Sequence, residues 1–354
     1  MYMFNKLTVI ELASVLAGPS VGTFFAELGA RVIKVENATT GGDMTRHWFS
    51  RSEPNSGTSA YFSSVNYKKE YQQRDLNKKE HQDEIHDLIK DADIVLSNFK
   101  ESTAKKFRVD FESLKKVNPN VILGTITGFP HTSRPAFDVV LQAETGFLSM
   151  TGSDHEHLAK MPVAMVDVLA AHQLKEGLLI ALLKRQSEPK AYRVNVTLYE
   201  AALASLINQG SNYLMTGVSP EPIGTKHPNI APYGDIFTTS DNRKVVLAVG
   251  TQSQFAQLCE YLDMNELKTD QRFCDNASRV KNRKALIDIL TKVISQIDRE
   301  TLMKNLLDRG IPAGAVKTLE EVFADEQAQK LVLTETIDGT KTKRVKGNIF
   351  SVSS

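Results

Sequence analysis

The sequence predicts an α/β protein in which an open, mostly parallel sheet forms a large domain and a smaller α+β domain follows. Two observations carry this expectation. Residues 7–36 pass through a buried strand, a tight turn, an apolar helix and a second strand in about 30 residues, the length of one βαβ unit with parallel strands. Beyond Gly217 the texture changes, and Pro220, Pro222, Gly224, Pro228 and Pro232 mark a linker into chain of a different character.

In chain order, residues 7–12 (LTVIEL) read as a buried strand, Ala17-Gly18-Pro19-Ser20 as a turn, and 21–28 as an apolar helix stopped by Gly29. Residues 31–36 (RVIKVE) form a second, β-branched strand. The signal recurs at 93–98 (DIVLSN) and 121–126 (VILGTI), between charged helical segments. Residues up to about 150 therefore read as a Rossmann-like layer. A long helix opens at Asp167 and runs through Leu174 and Leu178 to Lys184-Arg185, whose charge complements the helix dipole. A short strand at 193–197 (RVNVT) leads into an alanine-rich helix near 198–214. In the smaller domain, 236–239 and 245–249 flank Ser240-Asp241-Asn242-Arg243, a hairpin signal, and amphipathic helices follow near 252–262, 284–297 and 302–308. The expected domains are 1–217 and 218–320.

Composition excludes several functional classes. The 43 basic and 42 acidic residues leave a formal charge of +1, which provides no general attraction to nucleic acid or an acidic membrane. The two cysteines, Cys259 and Cys274, have no metal-ligand spacing and are too few for a disulfide framework, as expected in a reducing cytoplasm. The N-terminus lacks a basic region followed by an apolar signal core, and no apolar run is long enough to span a bilayer. A soluble, cytoplasmic protein is expected.

Glu36 at the end of the second strand invites a dinucleotide reading, but Gly18-Pro19-Ser20-Val21-Gly22 lacks the closely spaced glycines that let a pyrophosphate approach the backbone. His155-Glu156-His157 follows a polar turn and reads as a solvated loop rather than a metal site. His172 reads as a packed or interface histidine. Lys68-Lys69, Lys78-Lys79, Lys100 and Lys105-Lys106 read first as solvated helix faces, the alternative being a site for a multiply phosphorylated ligand at the carboxyl edge of the sheet. Asp167 lies inside the apolar run 161–171 (MPVAMVDVLAA), where an unpaired charge is costly. It reads equally as a helix cap or as a catalytic carboxylate, and the helix amides would keep it ionised in either role.

Several segments then fall into a recognisable order: 9–19 (VIELASVLAGP), 27–36 (ELGARVIKVE), 42–46 (GDMTR), 92–99 (ADIVLSNF), 127–129 (TGF), 137–143 (FDVVLQA), Val166-Asp167, 224–233 (GTKHPNIAPY) and 310–314 (GIPAG). Together they resemble the class III CoA-transferase family, the group of formyl-CoA transferase and carnitine CoA-transferase, which shares its fold with α-methylacyl-CoA racemase. The resemblance implies that Asp167 is the nucleophile, attacking an acyl-CoA to give a mixed anhydride and then an aspartyl-CoA thioester. It implies no permanently bound cofactor, with coenzyme A arriving as part of the substrate. Residues implied to lie along CoA are Leu16, Ala17, Arg74, Asp75, Leu76, Asn77, Asn98, Phe99, Lys100, Lys106, Phe137 and Asp138, with Phe99 against the adenine. The implied architecture is a large domain interrupted by the small one, 321–354 returning to the large domain, and two ring-shaped subunits interlocked as a homodimer. Acyl-CoA and a small carboxylic acid are the implied partners, with neither nucleic acid nor membrane.

Some positions depart from the family pattern. Asn37 stands where some transferases place a CoA-contacting arginine, the glycine-rich loop of formyl-CoA transferase has no counterpart near 224–234, and the sequence ends at Ser354 without the helical tail that relatives commonly carry. A racemase is the nearest alternative, but it needs proton-transfer groups on both faces of the α-carbon. Phe137 occupies the position of that group's histidine, so His131 or His172 would have to substitute. A non-catalytic CoA-binding subunit is the third reading, and the retained Asp167 argues against it.

Overall fold

The computed structural model describes residues 3–54, 57–132 and 134–353. Six strands form one parallel sheet in the order β3-β2-β1-β4-β5-β6: β1 Thr8–Glu11, β2 Arg31–Asn37, β3 Lys69–Arg74, β4 Ile94–Ser97, β5 Ile122–Thr127 and β6 Tyr192–Thr197. The strand order reverses between β1 and β4, and α/β sheets bind ligands outside the carboxyl ends at such a switch point. One face of the sheet packs Val9, Val32, Leu96 and Ile122 against the helices Ala17–Glu27 and Met165–Ser187. The other packs Ile10, Ile33, Val95 and Leu123 against the helices Lys79–Lys90 and Phe111–Val117. Burial on both faces explains why β1, β2, β4 and β5 read as continuous apolar runs.

One local expectation is corrected and two strands are placed. The expected turn at 17–20 is already the first turn of the helix Ala17–Glu27, where Pro19 is tolerated because no intrahelical partner awaits its missing N–H. The edge strand β3 (KEYQQR) was not expected, since a half-buried edge carries no apolar period. The short strand after the long helix joins this same sheet as β6.

The chain divides into two compact units. One contains 1–148, 160–220 and 330–354, and the other contains 149–159 and 221–329. The second unit thus takes in an excursion at 149–159 and continues to 329, beyond the range expected from linker composition. By itself it is a three-stranded antiparallel sheet of β7 Tyr233–Thr238, β8 Lys244–Ala248 and β9 Ala313–Ala315, with Phe237, Leu247, Phe255, Leu286 and Leu302 in its core. The expected hairpin is present, with Asn242 at φ 58 in its turn. In the first unit the hairpin of β10 Val332–Ile337 and β11 Thr340–Val345 meets the region around the helix Ala60–Ser64: Thr58 donates to the Ile337 carbonyl and Arg344 Nε to the Ser64 carbonyl. Among the described residues no helix is long and apolar enough to cross a membrane.

A buried ionic cluster sits at the carboxyl ends of β1 and β2 and the start of β3. Lys34 Nζ meets Glu11 Oε1 at 2.9 Å and Asp43 Oδ2 at 3.1 Å, and Lys69 Nζ meets Glu11 Oε2 at 2.7 Å, all with side chains at most 1% exposed. Lys69 therefore does not belong to a solvated helix face; it lies on β3 with its charge inside. Burial pulls its pKa down to about 7, against the attraction of Glu11. The recorded neighbours of its Nζ include the carbonyls of Pro19 and Val65 and Asn66 Oδ1, all acceptors that suit the ammonium form. Gly22 makes room for the cluster, because a Cβ there would lie 1.8 Å from Glu11 Oε2.

Glu11→Ala leaves two ammoniums without their shared partner and is expected to cost about 3–5 kcal/mol. The exposed Arg31–Glu70 pair, 2.8 Å apart, serves as control, and Glu70→Ala is expected to cost less than about 1 kcal/mol. Urea denaturation of the two variants measures the contrast.

Candidate active site

The helix Met165–Ser187 buries Val166, Ala170, Ala171, Leu174 and Leu178 along one stripe, and Asp167 lies on that side in the first turn. The expectation that Asp167 caps this helix is corrected. Ala164 holds the N-cap position without a side-chain bond, and Asp167 is the third helical residue. The capping carboxylate comes from elsewhere: the Val166 N–H donates to Asp138 Oδ1 at 2.7 Å. Asp138 Oδ2 accepts from Gln142 Nε2 at 2.6 Å, and Gln142 Oε1 accepts from the Met161 N–H at 2.9 Å.

Among the described residues no group hydrogen-bonds to the Asp167 carboxylate. The expected depression of its pKa is reversed: burial first, and the Asp138 charge second, push it up to about 7. A largely buried carboxylate with no donor bound to it among the described residues keeps its lone pairs available for a carbonyl carbon.

The loop after β1 supplies a second wall. Val15 has φ 73, a left-handed conformation costly for a β-branched residue. It is held by Asp43, whose Oδ2 accepts the Val15 N–H at 3.1 Å, and by Asn98, which bonds both the N–H and the carbonyl of Ser14. Asn98 thereby ties the loops after β1 and β4 together across the switch point. Burial, and then the charges of Asp167, Asp138 and Asp43, push the Tyr61 pKa up to about 12, so the phenol stays protonated. Its ring meets Trp48 edge-on at 5.0 Å. Sequence reasoning missed both aromatics, although Trp48 is the chain's single tryptophan.

A cleft of ≈ 70 Å³ lies at the carboxyl ends of β2 and β3, lined by Glu36, Asn37, Arg74, Asn77, Phe99 and Phe107 among others, including Leu76. Phe99 and Phe107 meet edge-on at 5.5 Å. Lys106 Nζ donates to Asn77 Oδ1 at 2.7 Å, bringing its charge to the rim. Arg74 Nε lies 2.6 Å from Glu84 Oε2.

Of the residues implied by resemblance, Arg74, Leu76, Asn77, Phe99 and Lys106 come together here. Asp75 spends Oδ1 on the amide and side chain of Asn77, and Lys100 precedes the helix Glu101–Lys106 with its side chain exposed. Leu16 and Ala17 start the first helix, while Asp138 lies beside the start of the Asp167 helix and Phe137 is the exposed N-cap of the helix Asp138–Glu144; neither lines the cleft. His155 and His157 are exposed on a turn, with His157 Nδ1 2.7 Å from Asp154, and His172 is exposed on its helix. Among the described residues no three metal-ligating side chains converge.

Comparison with known proteins places this geometry. The model of CoA-transferase family III matches residues 4–354. The chain is 34% identical over 347 residues to the succinate–glutarate CoA-transferase of Agrobacterium fabrum, spanning 95% of this chain and 86% of that protein. It is 30% identical over 344 residues to the succinyl-CoA:mesaconate CoA-transferase of Haloarcula hispanica, spanning 94% and 85%. The crystal structure of a CaiB/BaiF family protein from Brucella suis is similar at a TM-score of 0.86 and 35% identity, covering 98% of this chain and 91% of that one. The chain belongs to CoA-transferase family III and is a class III CoA-transferase.

Proposed function

We propose that this enzyme moves CoA from an acyl-CoA to a free carboxylic acid through a covalent aspartyl-CoA thioester on Asp167. The observation that carries the reading is the Asp167 carboxylate itself, buried at a helix start and free of hydrogen bonds from the described residues. An Asp167 oxygen attacks the thioester carbonyl and the C–S bond breaks, giving a mixed anhydride and CoA thiolate. The thiolate attacks the aspartyl carbonyl, releasing the donor acid and forming the aspartyl thioester. The acceptor carboxylate then attacks that thioester, and the liberated thiolate attacks the acceptor's carbonyl in the new anhydride, regenerating Asp167. Each intermediate keeps the activation of the original thioester, provided that water is excluded.

The cleft at the ends of β2 and β3 suits the nucleotide end of CoA. Phe99 and Phe107 offer faces for adenine, and Arg74 and Lys106 offer charge for phosphate. Leu16, Ala17 and Asn98 would line the route of the pantetheine toward Asp167. The names of the relatives above point to short dicarboxylates as donor and acceptor acids. A homodimer would cover the helix Ile207–Thr216, whose Ile207, Leu214 and Met215 are 74%, 82% and 85% exposed. The interlocked form is expected from the family. Free Cys259 and Cys274 suit the cytoplasm.

Asp167→Asn and Asp167→Ala are expected to lower turnover by on the order of 10³-fold or more, with acyl-CoA binding retained. Succinyl-CoA with glutarate as acceptor is the assay, and near-normal rates in either variant would exclude Asp167 as nucleophile. The reaction should also slow as pH falls through about 7 in the free enzyme, because the attacking form is ionised.

The same shift has a stability consequence. The folded pKa lies above the unfolded value of 3.8, so the wild type loses stability as pH rises from about 4 through 7. Asp167→Asn removes that loss. It should match the wild type at pH 3.5 and exceed it by about 2–4 kcal/mol at pH 8, measured by denaturant titration at the two pH values.

A further inference from the structure

We propose that Asp138 is a positioning residue for the transferase, holding the start of the Met165–Ser187 helix through the Val166 amide and so fixing where the Asp167 carboxylate is presented. The inference rests on the assignment of Asp167 as nucleophile and goes beyond it, since neither the family match nor the relatives assign this role to Asp138. The Val166 amide, at the second position of the helix, donates to Asp138 Oδ1 at 2.7 Å. This cap arrives from a residue 28 positions away, and among the described residues no donor holds the Asp167 carboxylate.

Gln142 makes the arrangement specific. It lies one turn after Asp138 on the helix Asp138–Glu144, and its side chain is buried. Only one orientation of its amide works, with Nε2 donating to the Asp138 carboxylate and Oε1 accepting from the Met161 N–H. The pair therefore grips the segment 161–166 at both ends, just before Asp167. The titratable groups facing Asp167 are Asp138 from that helix and Tyr61 from the helix Ala60–Ser64, with Tyr61 also feeling Asp43. A displacement of about 1 Å at a reacting group costs on the order of 10²-fold in rate, which sets the scale for losing the grip.

The test uses the full-length enzyme with succinyl-CoA and glutarate, following kcat and KM across pH 5–9. Asp138→Asn keeps one acceptor oxygen but removes the negative charge and presents a donor to Gln142. It is expected to lower kcat about 10–100-fold, with KM for the acyl-CoA within about threefold. The acid limb of kcat should also move to lower pH, because the like charge beside Asp167 is gone. Gln142→Ala, which leaves that charge in place, should lower kcat at constant KM without moving the limb downward, and it tests the grip even if Asp138→Asn does not fold.

Unchanged kcat in Gln142→Ala, or a raised KM with unchanged kcat in Asp138→Asn, would overturn the proposal; the second result would make Asp138 a CoA contact. An acid limb that stays in place in a folded Asp138→Asn protein would also overturn it. Asp167→Asn run alongside separates the two readings. If Asp167→Asn is inactive while Asp138→Asn behaves as wild type, only the positioning role falls. If Asp167→Asn turns over normally, the nucleophile reading falls and the positioning role falls with it.

Discussion

Four charged side chains taken out of water, Glu11, Lys34, Lys69 and Asp43, set the geometry on which the site depends. Each is costly to bury alone, and each is matched by an opposite charge or by backbone carbonyls within hydrogen-bond distance. Glu11 comes from β1, Lys34 from β2, Lys69 from β3 and Asp43 from the loop after β2, so the network joins three adjacent strands and a loop. It also reaches outward. Lys34 bonds the Ala13 carbonyl and Lys69 the Pro19 carbonyl, which clamps both ends of the turn between the first strand and helix. Asp43 then accepts the Val15 amide, holding a β-branched residue at φ 73 where about 1–3 kcal/mol of strain must be offset. The loop expected to run beside CoA is fixed from beneath by charge rather than by apolar packing.

At the other end of the site, two neighbouring aspartates differ in their hydrogen bonds, and the roles proposed for them differ accordingly. Asp138 accepts from the Val166 amide and from Gln142, and its charge is used up in holding a helix start. Asp167, three residues after the cap position, accepts from no group among the described residues and bears the cost of burial. That cost is what a nucleophile needs, since a carboxylate well solvated by donors would lose reactivity in proportion. Tyr61 is kept protonated by burial and the same negative charges.

Much of this was legible in the chain, and the parts that were not have a common cause. β1, β2, β4 and β5 announce themselves because burial on both faces demands β-branched runs, and Gly29 marks the helix end with φ 100. β3 is hidden, because an edge strand reading KEYQQR satisfies its burial with Lys69 and its exposure with Glu70, leaving no apolar period. Lys69 in turn looks like a surface lysine beside Lys68 until its partner Glu11, 58 residues away, is known. The helix carrying Asp167 was expected, but spacing cannot tell a cap from a third helical residue when the true cap is a plain alanine. The Asp138–Val166 bond is likewise invisible, since nothing local to either residue signals the other. Long-range polar contacts are the information that one-dimensional patterning lacks.

The covalent role proposed for Asp167 is tested most directly by the path of oxygen atoms. If the acceptor acid attacks an aspartyl-CoA thioester and its activated carbonyl then leaves on CoA, one acceptor oxygen remains on the enzyme carboxylate in each turnover. Incubation with succinyl-CoA and glutarate labelled with ¹⁸O in both carboxylates, followed by proteolysis and mass spectrometry, reads this out. The account predicts ¹⁸O in the peptide bearing Asp167, dependent on succinyl-CoA and absent from peptides bearing Asp138 and Asp43. Turnover without label at Asp167 would contradict it, because CoA would then be passing between acids without the carboxylate ever forming a bond to either.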